Sequence, residues 1–338
     1  MSGPRAPGLL RVEHLSVTFT GGREVPAVRD VGLALEAGES RVILGESGSG
    51  KSVTARTLLG LHRGPVRVAG SIRLNGTELV GAAPEVMRRQ RGPVLGLVPQ
   101  DPAGSLDPLR RIGPQIVEVM RVHGVERRRR PARERAEAML ARVGLADPAR
   151  VFDSRPHELS GGMKQRAAIA MAVVCSPALL IADEPTTALD VTVQAQVIEL
   201  FAELQRDLGM ALLMITHDVG VAKDIGGSVT VMYAGRVVEE GAAATVLGTP
   251  RHPYTAALVA AVPRPGQPRG GLAVIPGRPP VPGEVADIGC AFAPRCAHVR
   301  DDCRERTPAL LAVPGGGRIA CPVVAPEPVR TVEGAGHG

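Results

Sequence analysis

GESGSGKS, residues 45–52, fits the pattern G-x-x-x-x-G-K-[ST] of a phosphate-binding loop and decides the fold of this chain. An apolar stretch, 41–44, precedes the loop and a helix-forming stretch, 52–59, follows it, which is the context that the pattern requires. A Gly/Ser-rich turn can match the pattern by chance, so the other motifs of the chain matter. Together they predict a nucleotide site on an α/β fold with a parallel sheet.

Each position of this loop has a physical role in holding phosphate groups. Glycine adopts backbone angles closed to other residues, so the loop amides can point inward and bind anionic oxygens at the positive end of the next helix. We expect Lys51 to reach the β- and γ-phosphates and the Ser52 hydroxyl to bind Mg²⁺. The predicted nucleotide-binding positions of the loop are Gly45, Glu46, Ser47, Gly48, Ser49, Gly50, Lys51 and Ser52.

Two later apolar stretches end in polar residues. The run 179–182 is followed by Asp183 and Glu184, and the run 211–216 is followed by His217. Ligands bind at the carboxyl ends of buried parallel strands, so these side chains should face the phosphates. We predict that Asp183 holds Mg²⁺ through water and that Glu184 polarises or deprotonates the attacking water. The alternative is a structural pair of charges at a helix start.

The motifs together resemble one family, the nucleotide-binding subunits of ATP-binding cassette (ABC) transporters, from Leu10 to the cysteine region near the end of the chain. Met163 departs from the general family pattern, which has Gln there, but the importer branch described below commonly carries Met, so hydrolysis should be retained. The resemblance implies the following roles: Phe19 stacks on adenine, Gln100 senses Mg²⁺ and the γ-phosphate, Ser160, Gly161 and Gly162 form the signature, Ala188, Leu189 and Asp190 couple the two sites, and His217 is the switch histidine.

The signature implies that one chain is not enough. In this family it opens a helix that points at the γ-phosphate held by a second subunit, so each ATP lies between two protomers. Closure of that dimer around ATP is a population shift driven by contacts made only in the closed state. The implied partners are a homologous ATPase subunit, usually in a heterodimer, two transmembrane permease subunits and an extracytoplasmic solute-binding protein. A second copy of this chain stays open as the alternative ATPase partner.

The C-terminal part narrows the branch. The segments 250–263 (PRHPYTAALVAAVP) and 289–296 (GCAFAPRC), joined by a Pro/Gly-rich stretch, resemble the C-terminal extension of dipeptide and oligopeptide importer ATPases. Cys175 lies in an apolar stretch predicted to be helical and is interpreted as a core residue. The other cysteines have the spacing C-x5-C-x6-C-x17-C and are Cys290, Cys296, Cys303 and Cys321.

These four cysteines indicate a metal site, because a reducing cytosol disfavours disulfides. Their spacing lacks the tight turn of most structural zinc sites, and Cys321-Pro322 is similar to the ending of ferredoxin cysteine runs. We therefore predict a four-iron four-sulfur cluster, which the resemblance also implies. Zinc is the alternative metal, His298 an alternative ligand, and reduced thiols without metal a third possibility. An extension expected to bury little surface favours a structural role for the cluster over redox sensing.

Composition bounds the other partners. The net charge is +6, but the basic residues are almost all Arg and aromatic residues make up 2%, which leaves few platforms for base stacking. The run Arg127–Arg130 is interpreted as a solvated loop before a helix, and no nucleic-acid partner is expected. Ser176-Pro177 divides the longest apolar stretch, 167–182, so no membrane span is predicted. We expect a peripheral subunit at the cytoplasmic face of the cell membrane.

The predicted fold is α/β, a P-loop NTPase cassette of the ABC type with a RecA-like core, an antiparallel β layer and a helical subdomain, followed by a small Cys-rich extension. The predicted boundaries are a flexible N-terminus at 1–8, the cassette at 9–248 with its helical subdomain at about 101–158, the extension at 249–322 and a flexible tail at 323–338.

The resemblance implies an ATP-hydrolysing subunit that powers import of di- and oligopeptides through a separate permease. The first alternative keeps this role but changes the cargo to a nickel chelate or a sugar, because the binding protein and permeases select the cargo. The second is a soluble ABC ATPase acting on nucleic acid or ribosomes. That class typically has long coiled-coil insertions or two cassettes on one chain, and the 338-residue sequence has one phosphate loop and no such insertion.

Overall fold

The computed structural model describes residues 8–62, 64–187, 190–263 and 273–324. In chain order its strands are β1 (Leu10–Phe19), β2 (Val25–Leu35), β3 (Ser40–Leu44), β4 (Val66–Leu74), β5 (Thr77–Glu78), β6 (Leu95–Val98), β7 (Leu179–Asp183), β8 (Ala211–Thr216), β9 (Ser228–Tyr233), β10 (Arg236–Ala242), β11 (Leu311–Ala312) and β12 (Arg318–Ile319). Its α-helices are α1 (Lys51–Leu58), α2 (Pro84–Gln90), α3 (Ile112–Val122), α4 (Arg129–Arg142), α5 (Pro148–Asp153), α6 (Gly161–Val173), α7 (Val191–Leu208), α8 (Val219–Ile225), α9 (Ala243–Gly248), α10 (Pro253–Ala260) and α11 (Asp302–Glu305).

The first part of the chain forms an antiparallel sheet with the order β2-β1-β4-β5. Along β1 the inward positions Val12 and Leu15 are separated by three residues instead of two, because the strand bulges at Glu13 and His14, where His14 has a φ of 51°. The bulge keeps apolar side chains on the core face on both sides of it. The antiparallel layer that the sequence predicts is confirmed.

The second sheet has the order β11-β12-β10-β9-β3-β8-β7-β6. Strands β3, β8, β7 and β6 pair in parallel, and β7 and β8 are buried along their whole length, which is why they read as continuous apolar runs. Parallel strands share one direction, so the chain leaves β3, β7 and β8 at the same edge of the sheet. That edge carries the phosphate loop, Asp183, Glu184 and His217.

Three helices form the predicted helical region between β6 and β7. Helices α3, α4 and α5 pack against one another, and Ile116, Met120, Ala136 and Leu140 are fully buried between them. These residues recur at helical spacing, which is the pattern that predicted the helices. The Arg127–Arg130 run lies partly in the preceding loop and partly in the first turn of α4.

The C-terminal segment is built into the main fold. Strand β12 pairs antiparallel with β10 and thereby brings β11 and β12 onto the large sheet. Tyr254 and Phe292 are 0% and 2% exposed and belong to the same hydrophobic core as the central strands. The expectation that the extension buries little surface is therefore wrong. Single aromatic side chains in an irregular segment give no periodic signal, so their burial could not be read from spacing.

Cys175 is buried, as expected of a core residue, but the predicted helical setting is wrong. Helix α6 ends at Val173, and Cys175 lies in the turn that leads to β7, where Ser176 has a φ of 53°. Pro177 favours extended backbone before it and so ends the helix early. None of the helices in the described ranges has both the length and the apolar character needed to cross a membrane.

Candidate functional site

The phosphate loop connects the end of β3 to the start of α1. Gly48 and Gly50 have φ angles of 79° and 100°, in the left-handed region that favours glycine. A Cβ atom on Gly50 would lie 2.6 Å from the carbonyl oxygen of Ala27, so a side chain is excluded there by contact as well as by backbone angle. These positions explain why the loop must be glycine-rich where the backbone turns into α1.

Lys51 is the buried cation of the loop. Its side chain is 4% exposed, and its Nζ donates hydrogen bonds to the carbonyl oxygens of Gly45 at 2.7 Å and Glu46 at 2.9 Å. Burial lowers the pKa of Lys51, while the nearby carboxylates of Glu184, Asp183 and Glu46 act in the opposite direction. The ammonium group therefore lies at the edge of the sheet where an anionic phosphate would meet it.

Asp183 and Ser52 form a pair beside the loop. The Ser52 hydroxyl donates to Oδ1 of Asp183 at 2.7 Å, and Arg56 Nη2 lies 3.9 Å from Oδ2. Burial raises the pKa of Asp183, the Ser52 hydrogen bond and Arg56 act against that rise, and Glu184 adds to it. A hydroxyl and a carboxylate at this spacing are the oxygen ligands that Mg²⁺ prefers, and the structure brings together the two side chains that the sequence assigns to the metal.

Glu184 is the centre of a group of polar side chains. Its carboxylate lies 3.2 Å from His217 Nδ1, accepts a hydrogen bond from Gln100 Nε2 at 3.4 Å and another from Thr187 Oγ1 at 3.2 Å, and is 3.8 Å from Lys51 Nζ. The predicted trio of Glu184, His217 and Gln100 is thus assembled at one carboxylate. Thr187 is an additional partner that the sequence analysis missed.

The backbone at Glu184 is strained. Its φ is 49°, in the left-handed region that non-glycine residues rarely adopt, at a cost of about 1–3 kcal/mol. The amide of Glu184 donates to the carbonyl oxygen of Ile215 at 2.9 Å, which ties this conformation to the end of β8. The strain turns the carboxylate away from the strand direction and toward the phosphate loop.

A cavity of about 620 Å³ opens over the loop and is wide enough for a nucleotide. Phe19 and Val25 line it from the antiparallel sheet, as the predicted adenine-stacking role of Phe19 requires. Pro279 and Pro282 line it from the C-terminal segment, a contribution that the sequence analysis missed. The remaining lining residues include Ala27, Glu46, Ser47, Gly48, Ser49, Gly50, Lys51, Ser52, Val53, Gln100, Glu184, His217 and Leu258.

The signature residues lie elsewhere. Ser160 caps the N-terminus of α6, where its hydroxyl accepts a hydrogen bond from the amide of Met163 at 3.3 Å, and Gly161 and Gly162 begin the helix. Within the described part of the chain, none of the three lines the cavity that holds the phosphate loop. Asp190 caps α7 by accepting from the amide of Val193 at 2.9 Å.

Ala188 and Leu189 lie outside the described residues, so the predicted coupling loop is represented by Asp190. The signature helix presents its N-terminus at a separate place on the chain. This arrangement leaves the cavity without signature contacts from its own chain.

The four predicted metal-ligating cysteines fall in one neighbourhood. Burial, with the nearby Cys321 and Cys303 thiols, raises the pKa of Cys290 to about 11. Burial also raises the pKa of Cys321, and Cys296 and Cys303 contribute to that rise. Nevertheless, no group of three or more His, Cys, Asp or Glu residues in the described ranges is placed to hold a metal ion. The thiols are neighbours, but their arrangement gives the predicted iron-sulfur cluster and the zinc alternative no support.

The C-terminal segment also reaches the phosphate loop. Arg295 binds the carboxylate of Glu46, and the Tyr254 hydroxyl accepts a hydrogen bond from the amide of Glu46 at 2.8 Å. Sequence reasoning missed both residues, although each lies in a segment that marks the importer branch, PRHPYTAALVAAVP or GCAFAPRC. The signal was therefore present as a motif without an assigned contact.

The parallel sheet, the phosphate loop and the carboxylate group at Glu184 define a P-loop ATPase of the ABC type. Residues 28–187 match the family described as ABC transporter, and residues 238–303 match the oligopeptide/dipeptide transporter C-terminal region. The chain belongs to the ATP-binding proteins of the ABC transporter family, in the group that carries this C-terminal region.

Curated relatives match nearly the whole chain. A protein of Brucella abortus, provisionally named a peptide import ATP-binding protein, is 47% identical over 90% of this chain and 94% of its own. The dipeptide transport ATP-binding protein DppD of Escherichia coli is 45% identical over 93% of this chain and 96% of its own. The oligopeptide transport ATP-binding protein OppD of Mycobacterium tuberculosis is 46% identical over 93% of this chain and 51% of its own.

Solved structures share the cassette. The post-hydrolysis dimer of the ATP-binding cassette MJ0796 with ADP and Pi matches 69% of this chain and 98% of its own, with a TM-score of 0.61 and 26% identity. The cbiO1 subunit from Clostridium perfringens, part of an ABC transporter complex, matches 72% of this chain and 91% of its own, with a TM-score of 0.62 and 27% identity. The predicted ABC cassette fold is confirmed.

Proposed function

We propose that this chain is the ATP-hydrolysing subunit of a membrane importer for di- and oligopeptides. The observation that carries the ATPase part is the Glu184 carboxylate, held between Lys51, His217 and Gln100 at the mouth of the phosphate-loop cavity. The peptide cargo is supported by the names of the relatives that match more than nine-tenths of both chains, such as the dipeptide transport protein of Escherichia coli.

In this proposal the side chains divide the chemistry of phosphoryl transfer. Lys51 neutralises the β- and γ-phosphates, while Ser52 and Asp183 hold Mg²⁺, whose bound form supplies charge neutralisation of the leaving phosphate. Glu184 accepts a proton from the attacking water, and His217 and Gln100 orient its carboxylate through the contacts at 3.2 Å and 3.4 Å. Phe19 stacks on adenine at the far side of the cavity.

Hydrolysis in this proposal requires a second ATPase subunit. The cavity has no contact from Ser160, Gly161 or Gly162 within the described chain, and the N-terminus of α6 is a ready anion site for a nucleotide held by the partner. We infer a homologous subunit as that partner, docked on two permease subunits with an extracytoplasmic solute-binding protein. The chain would then act at the cytoplasmic face of the cell membrane.

We also propose that Cys290, Cys296, Cys303 and Cys321 hold a four-iron four-sulfur cluster in the purified protein. The mutual effect of these thiols on their pKa values supports their proximity. A single ion needs all its ligands within one small coordination shell, whereas a cluster binds each thiolate through a different iron. The described arrangement, which offers no group placed for a metal ion, therefore weighs more against zinc than against a cluster.

The importer proposal is tested by transport in reconstituted vesicles. The chain would be combined with the permeases, partner ATPase and binding protein encoded beside it, and uptake of labelled di- and oligopeptides would be compared with uptake of a nickel chelate and a sugar. Peptide uptake that needs ATP and is lost in the Lys51→Ala variant is the expected result. Uptake of nickel or sugar alone would replace the cargo, and absence of all ATP-dependent uptake would contradict the importer role.

The cluster proposal is tested by anaerobic purification with iron, sulfide and zinc analysis. We expect iron and sulfide in the wild-type chain, their loss in Cys321→Ser, and their retention in Cys175→Ser, because Cys175 lies in the turn after α6 and has no role in the cluster. Zinc in place of iron would replace the metal, and protein without either metal would contradict the proposal.

A further inference from the structure

Glu46, the second residue of the phosphate loop, is held at three points. Its amide donates to the Tyr254 hydroxyl at 2.8 Å, its carbonyl oxygen accepts from Lys51 Nζ at 2.9 Å, and its carboxylate binds Arg295. Two of these three partners, Tyr254 and Arg295, belong to the C-terminal segment and lie more than 200 positions from the loop in the sequence. The conformation of the loop is therefore fixed in part by a distant segment.

The contact between Arg295 and Glu46 is a bidentate ion pair. Arg295 Nη1 lies 2.7 Å from Glu46 Oε2, and Nη2 lies 3.2 Å from Oε1. The two side chains are 5% and 22% exposed, so solvent screens the pair only partly. The planar guanidinium matches a carboxylate with two parallel hydrogen bonds, which fixes orientation as well as distance.

The guanidinium of Arg295 is itself immobilised. Its Nε donates to the carbonyl oxygen of Pro276 at 2.8 Å, and Nη1 donates to the Tyr233 hydroxyl at 3.3 Å. Its Cζ lies 5.9 Å from the centre of the Tyr233 ring and 6.0 Å from that of Phe292. A guanidinium anchored at this many points positions a carboxylate rigidly, which a solvated surface arginine cannot do.

The same segment contacts the cavity from its other side. Pro279 and Pro282 line the cavity, and the stretch that follows them is bound to the antiparallel sheet by Arg29, whose guanidinium donates to the carbonyl oxygens of Val285 and Ala286. The chain from Pro279 to Arg295 thus runs from the mouth of the cavity back to the phosphate loop. The nucleotide cavity is bounded by the C-terminal segment as well as by the cassette.

We propose that Arg295 is a positioning residue that sets the affinity for ATP through Glu46. Phosphate binding needs the loop amides aligned before the ligand arrives, and a loop already held in that conformation loses less entropy on binding. Arg295 also balances the charge of the Glu46 carboxylate, which lies in the loop that must accept an anionic ligand. The inference rests on the nucleotide site proposed above and adds the C-terminal segment to it.

The test is a double-mutant cycle on ATP binding, measured with a fluorescent ATP analogue and with the KM for ATP in phosphate-release assays. Arg295→Met removes the charge while keeping much of the length of the side chain, and Glu46→Gln removes the opposite charge. We expect the Kd of Arg295→Met to rise about tenfold, with kcat at saturating ATP falling much less. The double variant should bind ATP more tightly than the product of the two single effects, because the residues act as a pair.

Two further variants keep the test decisive. Arg295→Lys retains the charge but not the bidentate contact, so its Kd should lie between those of the wild type and Arg295→Met. If Arg295→Met does not fold, the cycle is run with Arg295→Lys and Glu46→Gln instead. Arg300→Met, an exposed arginine of the same segment, is the matched control and should bind ATP as the wild type does.

An unchanged Kd in a folded Arg295→Met variant would overturn the proposal, and so would additive effects of the two substitutions. A failure of the nucleotide site itself is recognised separately with Lys51→Ala, since that variant should lose ATP binding whether or not Arg295 has a role. If Lys51→Ala bound ATP as tightly as the wild type, the site assignment would fail before the role of Arg295 was reached.

Discussion

At the scale of single residues, the strained backbone of Glu184 and the glycine at position 50 show how the edge of the sheet is shaped for one ligand. Glu184 adopts a φ of 49° and gathers His217, Gln100 and Thr187 around its carboxylate. Gly50 brings the backbone so close to Ala27 that a Cβ atom would be only 2.6 Å from its carbonyl oxygen. Both are predicted to be intolerant of change, for different physical reasons.

Glu184→Gln is expected to bind ATP but not to hydrolyse it. The amide keeps the shape of the side chain but cannot take a proton from water, so the rate should fall by about 10²–10⁴-fold. Phosphate release and size-exclusion chromatography with ATP, in the presence of the partner subunit, measure turnover and a trapped dimer. Glu199→Gln, on the exposed face of α7, is the control. Turnover near the wild-type rate in Glu184→Gln would remove Glu184 from the role of general base.

Gly50→Ala is expected to abolish ATP binding and to lower the thermal stability of the chain. The substitution combines a backbone angle of 100° with a clash against backbone that has no side chain to move aside, at a cost of roughly 1–3 kcal/mol or more. Calorimetry and nucleotide titration measure both effects. Gly22→Ala should be silent, because an added Cβ there meets no atom within 4 Å. Normal binding by Gly50→Ala would contradict this account of the loop.

At the scale of elements, α10 joins the C-terminal segment to β10. Its capping residue His252 is 1% exposed and accepts a hydrogen bond from the amide of Tyr254 through Nδ1 at 3.0 Å. Glu239 of β10, which is also buried, accepts from the amides of Arg251 and His252 at 2.9 Å and 3.0 Å. The start of α10 is thus fixed by a neutral imidazole and a buried carboxylate.

His252 makes the stability of the chain depend on pH. Burial lowers the pKa of His252 from 6.5 to about 4, and a backbone hydrogen bond with Ala320 acts in the other direction. In this range the unfolded imidazole binds a proton that the folded one does not. The free energy of unfolding should therefore fall by about 3 kcal/mol in total as the pH drops from 6.5 to 4.

Chemical denaturation at a series of pH values measures this dependence. His252→Asn keeps a side-chain acceptor for the amide of Tyr254 but cannot titrate, so the fall in stability between pH 6.5 and 4 should become smaller. His298→Asn, at an exposed position, is the control and should leave the dependence unchanged. An identical slope in His252→Asn and wild type would show that another group is responsible.

At the scale of the whole molecule, the predicted boundary at Gly248 does not separate two independent bodies. Residues on both sides of it share one core and one sheet, through Tyr254, Phe292 and the pairing of β12 with β10. A chain ending at Gly248 would expose the core surface that Tyr254 and Phe292 cover, at a cost on the order of 3–5 kcal/mol for each aromatic side chain.

We therefore expect the chain truncated after Gly248 to be insoluble or to melt far below the full chain, and to bind ATP weakly. A chain ending at Val324 is the matched comparison, because it keeps every contact described above. Soluble yield, melting temperature and ATP titration are the measurements. A stable, ATP-binding chain that ends at Gly248 would restore the interpretation of the C-terminal segment as an independent appendage.

The contacts that the sequence could predict are those with a local or periodic cause. The turn into α1 at Gly50 and the carboxylates after β7 follow from spacing within a short stretch, and the structure brings Asp183 and Glu184 to the loop as expected. The pair of Arg295 and Glu46 spans 249 positions between two irregular segments, and no periodicity connects them. The general lesson is that a motif can mark a segment without revealing which residue it contacts.

The distance between Glu46 and Arg295 along the chain has a consequence for the order of events during protein synthesis. A ribosome adding about 5–20 residues per second takes roughly 12–50 s to pass from one to the other. Throughout that interval the emerging polypeptide carries a complete GESGSGKS stretch that lacks its anchor. On the proposed role of Arg295, tight nucleotide binding is acquired only near the end of translation. Prematurely released fragments would then be poor competitors for cellular ATP and for the partner subunit.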